Sequence, residues 1–128
     1  MEALYIAIIG EADKGRFVYP YELQDLEGLF LILGQPPEGS GGIDFASRTL
    51  LRGGKVCYLR VKSDGFSTNH YQSAFRYLRN QESPQKRDAL FLPGVFDPCI
   101  LEQAQVVAKE QGMLLLLQEK DLFDYLTT

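Results

Sequence analysis

Two short stretches carry the residue types that could do chemistry. In GGIDF, residues 41–45, Asp44 lies between Ile43 and Phe45. In an extended chain its carboxylate would point away from the core that those two apolar side chains enter. In KVCYLRVK, residues 55–62, Val56, Tyr58, Arg60 and Lys62 share one strand face, and Cys57, Leu59 and Val61 form an apolar one. Read as two strands joined by Arg52-Gly53-Gly54, the stretches make an antiparallel hairpin with Asp44 and Lys62 both at the end far from the turn. An acid and a lysine so placed suit hydrolysis of a phosphodiester: the carboxylate holds a divalent cation, and the ammonium orients water or stabilises charge. They equally suit an exposed cross-strand ion pair of small energy.

The elements that must position these residues follow from periodicity. LYIAII, residues 4–9, is a continuous apolar run closed by Gly10 and reads as a buried strand. RFVYP adds a short strand stopped by Pro20, and YELQDLEG reads as a short helix over about 20–27, with a strand as the alternative. LFLILG, residues 29–34, is apolar at every position before glycine, as expected of a central strand covered on both faces. QPPEGSGG is a loop, and IDFASRTLL, residues 43–51, resumes an extended pattern into the hairpin. Beyond the loop SDGFSTN, Asn69 caps a helix whose Tyr71, Ala74, Phe75 and Leu78 recur at helical spacing. ALFLPG is another buried strand; Asp97-Pro98 starts a helix that ends at Gly112; MLLLLQ is the last strand, and EKDLFDYL a closing helical turn. The sum is one α/β domain over residues 1–128, a mixed β-sheet flanked by helices, with a parallel βαβ tail and an antiparallel hairpin.

Composition narrows the classes. A chain of 128 residues with a net charge of −4 has no surplus of cations for strong, purely electrostatic nucleic-acid binding, although a local basic strip is compatible with it. The apolar runs are too short to span a membrane, and no basic n-region or small-residue cleavage site precedes them, so a cytoplasmic protein is expected. The two cysteines, Cys57 and Cys99, read as free thiols. Neither GxxxxGK[ST] nor GxGxxG occurs, the Gly-rich stretch at 39–42 leads into a strand, no GxSxG elbow is present, and the single histidine, His70, reads as a solvated or capping side chain.

The run from LEGLFLILGQPPEGSGGIDFASRTLLRGGKVCYLRVKSDG through NHYQSAFRYL to DALFLPGVFDPCILEQAQVVAKEQGMLLLLQEKDLFDYL resembles the PD-(D/E)xK restriction-endonuclease-like superfamily, in its Mrr-related branch. The resemblance implies an αβββαβ core with an extra N-terminal strand, Asp44 as the metal-binding aspartate, Lys62 as the catalytic lysine, and Gln72 as the helix glutamine. Glu22 or Glu27 would match an acid carried on the first helix. The position of the second acid is occupied by Arg60, and a fixed cation repels Mg²⁺ by a few kcal/mol at about 4 Å. An acid from elsewhere, Glu22, Glu38 or Asp64, would have to fill the gap. Three readings follow: a catalytically degenerate domain that contacts DNA or protein through Arg60, Lys62, Arg76 and Arg79; an active Mg²⁺-dependent nuclease with a relocated acid; and an unrelated α/β interaction or regulatory module. The N-terminal strand, unneeded by the nuclease core, would be free to pair with a sheet edge or with a second copy.

Overall fold

The computed structural model of the chain describes residues 4–36, 41–80 and 86–118. A five-stranded mixed sheet is sandwiched between two pairs of helices. In chain order the elements are β1 (Tyr5–Gly10), β2 (Tyr21–Leu23), α1 (Leu26–Leu33), α2 (Gly42–Leu51), β3 (Lys55–Arg60), α3 (Thr68–Asn80), β4 (Ala89–Phe91), α4 (Pro98–Gln111) and β5 (Leu114–Leu116). The sheet order is β2-β3-β1-β4-β5, with β2 antiparallel to β3 and the other neighbours parallel. Among the described residues no helix is long and apolar enough to cross a membrane.

Strand β1 is buried at all six positions because both of its edges and both of its faces are covered. Ile6 and Ile8 face α1 and α2, packing with Leu29, Leu33, Ile43, Phe45 and Leu50; Ala7 and Ile9 face α3 and α4, packing with Tyr71, Phe75, Leu78, Ile100 and Val107. The chain crosses from β1 to β3 on one face and from β3 back past β1 to β4 on the other, as right-handed crossovers on a parallel sheet require. Placing β1 at the centre corrects the expectation that this strand is free to pair with another chain.

The class expected from the sequence is the one observed, but the strand run inside it is not. LFLILG is helix: Asp25 Oδ1 accepts from the Gly28 N–H at 2.7 Å, Gly34 closes the C-terminus at φ 80°, and Leu29 and Leu33 bury one stripe. A uniformly apolar run does not distinguish a buried strand from a buried helix, and here the cap decides. IDFASRTLL is helix too. Ile43, Ala46 and Leu50, with Phe45 and Thr49, are buried at helical spacing, and the Thr49 hydroxyl donates to the Phe45 carbonyl four residues back. Arg52-Gly53-Gly54 is then the end of a helix, not a hairpin turn: the Gly53 and Gly54 amides bond to the carbonyls of Leu50 and Thr49. The hairpin of residues 43–51 with 55–62 therefore does not form. YELQDLEG divides: Tyr21–Leu23 take the strand alternative and pair with Val56–Tyr58, while residues 26–28 open α1. RFVYP is not a strand, forming only an isolated bridge from Phe17 to Arg60; the other elements stand where expected, except that α3 begins at Thr68 and so takes Asn69 into its first turn. The closing helical turn proposed for 119–126 lies outside the described residues.

Candidate nucleic-acid interface

With α2 in place of a strand, the cross-strand pairing that was to set Asp44 opposite Lys62 does not form. Asp44 lies in the first turn of α2 with its exposed carboxylate 3.4 Å from Arg48, one helical turn on. Lys62 lies two residues past the end of β3, exposed, its backbone N–H donating to His70 Nδ1 at 3.0 Å. Of the acids that could have relocated, Glu22 sits on β2 opposite Cys57 and is engaged with Tyr5 and Arg87; Asp64 accepts the Glu11 N–H; Glu38 is outside the described residues. Glu27 is an exposed residue of the first turn of α1. Among the described residues no three His, Cys, Asp or Glu side chains gather into a metal-binding group.

Open α/β sheets usually take ligands at the carboxyl ends of the strands, where neighbouring connections leave in opposite directions. That point falls here between β1 and β4, and the protein fills it with its own groups. The Tyr58 hydroxyl donates to the Glu11 carbonyl at 2.6 Å, Asp64 accepts from the Glu11 N–H at 2.8 Å, and the Glu11 carboxylate accepts from the Asp64 N–H at 2.9 Å. Burial first, and then the nearby Asp64, Tyr71 and Glu11, hold the Tyr58 hydroxyl well above its usual pKa, so it remains a donor. A Cβ on Gly42 would collide with that hydroxyl, and one on Gly10 would lie 3.2 Å from Pro93 Cγ. The glycines serve packing.

The open face lies at the neighbouring corner of the sheet, where Arg60 ends β3. Arg60 Nη1 donates to the Gly15 carbonyl, and its guanidinium carbon lies 4.3 Å from the centroid of the Phe17 ring. His70, from the first turn of α3, stacks on the same ring at 4.9 Å and 26°. Its Nδ1 accepts the Lys62 N–H at 3.0 Å, which fixes the ring's orientation. Next along the chain, Arg16 approaches the Tyr19 ring at 5.0 Å, Tyr19 lies 4.8 Å from Tyr21, and the Tyr21 hydroxyl accepts the Arg16 N–H at 2.7 Å. Phe17 is 46% exposed and Tyr19 44%.

Val18 explains why both rings face out. Its φ is 52°, a left-handed conformation that costs a β-branched residue about 1–2 kcal/mol. Its N–H bonds the Arg60 carbonyl at 2.7 Å, its side chain packs against the α3/α4 core, and Phe17 bridges to Arg60. Anchoring Val18 inward in this conformation turns its two aromatic neighbours toward solvent. Strain of this kind collects where a surface must hold a particular shape.

Gln72, Arg76 and Arg79 occupy the outer stripe of α3, lining a groove of about 700 Å³ against α4 with Phe75, Val106 and Glu110. Arg79 is committed to a two-pronged pair with Glu110, at 3.0 and 3.1 Å. Among the described residues Arg16, Arg60, Lys62 and Arg76 have no carboxylate within 4 Å, unlike Arg48, Arg79 and Arg87. Arg60 and Lys62 were legible in the sequence as candidates. Phe17, Tyr19 and the stacking role of His70 were not, although RFVYPY does place three aromatics within five residues of a cation.

A second arginine, Arg87, is buried near the amino ends of the strands. It is 7% exposed, 3.8 Å from both Cys57 Sγ and Glu22 Oε1, and 5.4 Å from the centroid of Tyr5, whose hydroxyl donates to Glu22. Burial and then the charge of Glu22 push the Cys57 thiol up to about 12, making it the inert core residue expected.

The chain matches no family model, no curated protein and no solved structure.

Proposed function

We propose that this domain contacts nucleic acid without cleaving it, using the corner built from Phe17, Tyr19, Arg16, Arg60, Lys62 and His70. The observation that carries this reading is the 46% exposed Phe17 ring, positioned by a guanidinium 4.3 Å and an imidazole 4.9 Å from its centroid. Aromatic faces beside cations without acidic partners are the usual means of holding bases and phosphates together. The resemblance to nucleases enters only as the expectation that DNA is the partner. What favours binding over cleavage is that Asp44 lies on a helix 3.4 Å from Arg48 and Lys62 lies beyond the end of β3, so no hairpin presents the two together.

Fluorescence anisotropy with labelled single-stranded and duplex DNA at about 20 mM salt, where electrostatic contacts are least screened, tests the contact. Saturable binding to either form is expected, and none to either would end the reading. Supercoiled plasmid incubated with Mg²⁺ or Mn²⁺ tests the other half. Intact plasmid is expected; nicking that disappears in Lys62→Ala would restore catalysis.

A further inference from the structure

We propose that this corner takes an unpaired nucleic-acid strand, and that stacking of two or three bases on its rings, more than neutralisation of phosphates, carries the affinity. The inference rests on the nucleic-acid reading above and narrows it to a ligand class.

Charge is the first argument. Duplex DNA presents one negative charge per about 1.7 Å of axis, and proteins that hold it by charge place many cations on one surface. This chain carries a net charge of −4, and the segment 11–16 that leads into the corner holds Glu11 and Asp13 as well as Lys14 and Arg16. Arg60 is in addition tied down by the Gly15 carbonyl and the Phe17 ring. The few cations suit two or three phosphates.

The rings supply the second argument. Phe17 and Tyr19 are turned out together by Val18 at φ 52°, and Tyr21 lies beside Tyr19 at 4.8 Å. Bases inside a duplex are stacked on each other and offer no face to such rings; bases of an unpaired strand do. Aromatic–base stacking is tolerant of sequence, so a preference for unpaired over paired strands is expected with little preference among bases.

Anisotropy with three labelled probes settles it: a twelve-nucleotide oligothymidylate, a twelve-base-pair duplex, and a twelve-unit abasic strand with the same phosphates and no bases. The oligothymidylate is expected to bind at least about tenfold more tightly than the other two, as loss of one or two stacked bases would give. Its affinity should fall with salt at a slope no steeper than about −2 on a log–log plot. Tyr19→Ala is expected to weaken it about tenfold and Tyr19→Phe to leave it close to wild type, with both variants checked for an unchanged melting curve. Duplex bound as tightly as oligothymidylate would overturn this inference and leave the nucleic-acid reading standing. Abasic strand bound as tightly would overturn it by assigning the affinity to phosphates. Binding to none of the three would end both.

Discussion

Arg87 and Arg60 are each set over an aromatic ring at opposite ends of the same sheet, and their surroundings give them opposite uses. Arg87 is 7% exposed and meets the buried Cys57, the Tyr5 ring and the half-exposed carboxylate of Glu22. A guanidinium withdrawn from water must be matched by internal partners, and removing it leaves those partners uncompensated. Arg60 is half-buried, spends one donor on Gly15 and covers a ring that is itself 46% exposed. Its environment leaves the surface around it open to a ligand at small cost to the fold. The same pair of residue types thus ties elements together where it is enclosed and offers a contact where it is not.

The largest effect that would sharpen this contrast is at the enclosed end. Arg87→Ala is expected to destabilise the protein by roughly 2–4 kcal/mol, measured by urea unfolding, because it strips the partner from Glu22 and empties a packed site. If DNA affinity fell in Arg87→Ala under conditions where it is still folded, the separation of roles would break. Phe17→Ala at the open end should do the reverse. It should lower oligothymidylate affinity by about 1–2 kcal/mol, with a melting temperature within a few degrees of wild type.

pH separates the two ends more finely. The Cys57 thiol titrates near 12 in the folded chain and near about 8.5 in an unfolded one, so the folded state favours the protonated form. Its contribution to stability is therefore fully present below about pH 8.5 and is lost as pH rises toward 12. The urea midpoint should decline from about pH 8.5 upward, before ionisation of tyrosines in the unfolded chain adds to it at about pH 10, and Cys57→Val should flatten that first part of the decline. A midpoint equally pH-dependent in the variant would remove the thiol from the account. In the same range native protein should be alkylated at exposed Cys99 and spared at Cys57. The smallest effect belongs to Asp44→Ala: an exposed i, i+4 pair contributes about 0.3–0.5 kcal/mol, and no change in plasmid integrity is expected.

Residue pattern alone specified much of this molecule. The β1 run, the Tyr71–Ala74–Phe75–Leu78 stripe, the Asp97-Pro98 start and the Gly112 stop all stand as expected, because each is local: an apolar period, a cap, a proline at the first turn, a glycine in the left-handed region. Asp97 accepts from the Cys99 N–H at 2.8 Å, and Gly112 has φ 68°. Where local signals were ambiguous the reading failed. LFLILG and IDFASRTLL suit either a strand or a helix, and Asp25, whose cap settles the first, falls inside the helix expected over about 20–27 rather than at the start of one. With IDFASRTLL helical, the hairpin that was to set Asp44 opposite Lys62 is absent, since a strand places Asp44 by a period of two and a helix by 3.6.

The sequence by itself determined the class, a mixed sheet between helices, together with the cations Arg60 and Lys62, because composition and periodicity are properties of the chain. Only the tertiary structure decided what those cations meet. Phe17 and His70 are 53 residues apart in number and touch only because α3 returns its first turn to the end of β3, and Glu22 and Arg87 meet only through the sheet order β2-β3-β1-β4. Contacts of that separation follow from which strands lie side by side, a choice made by burying both faces of β1, and no local pattern encodes it.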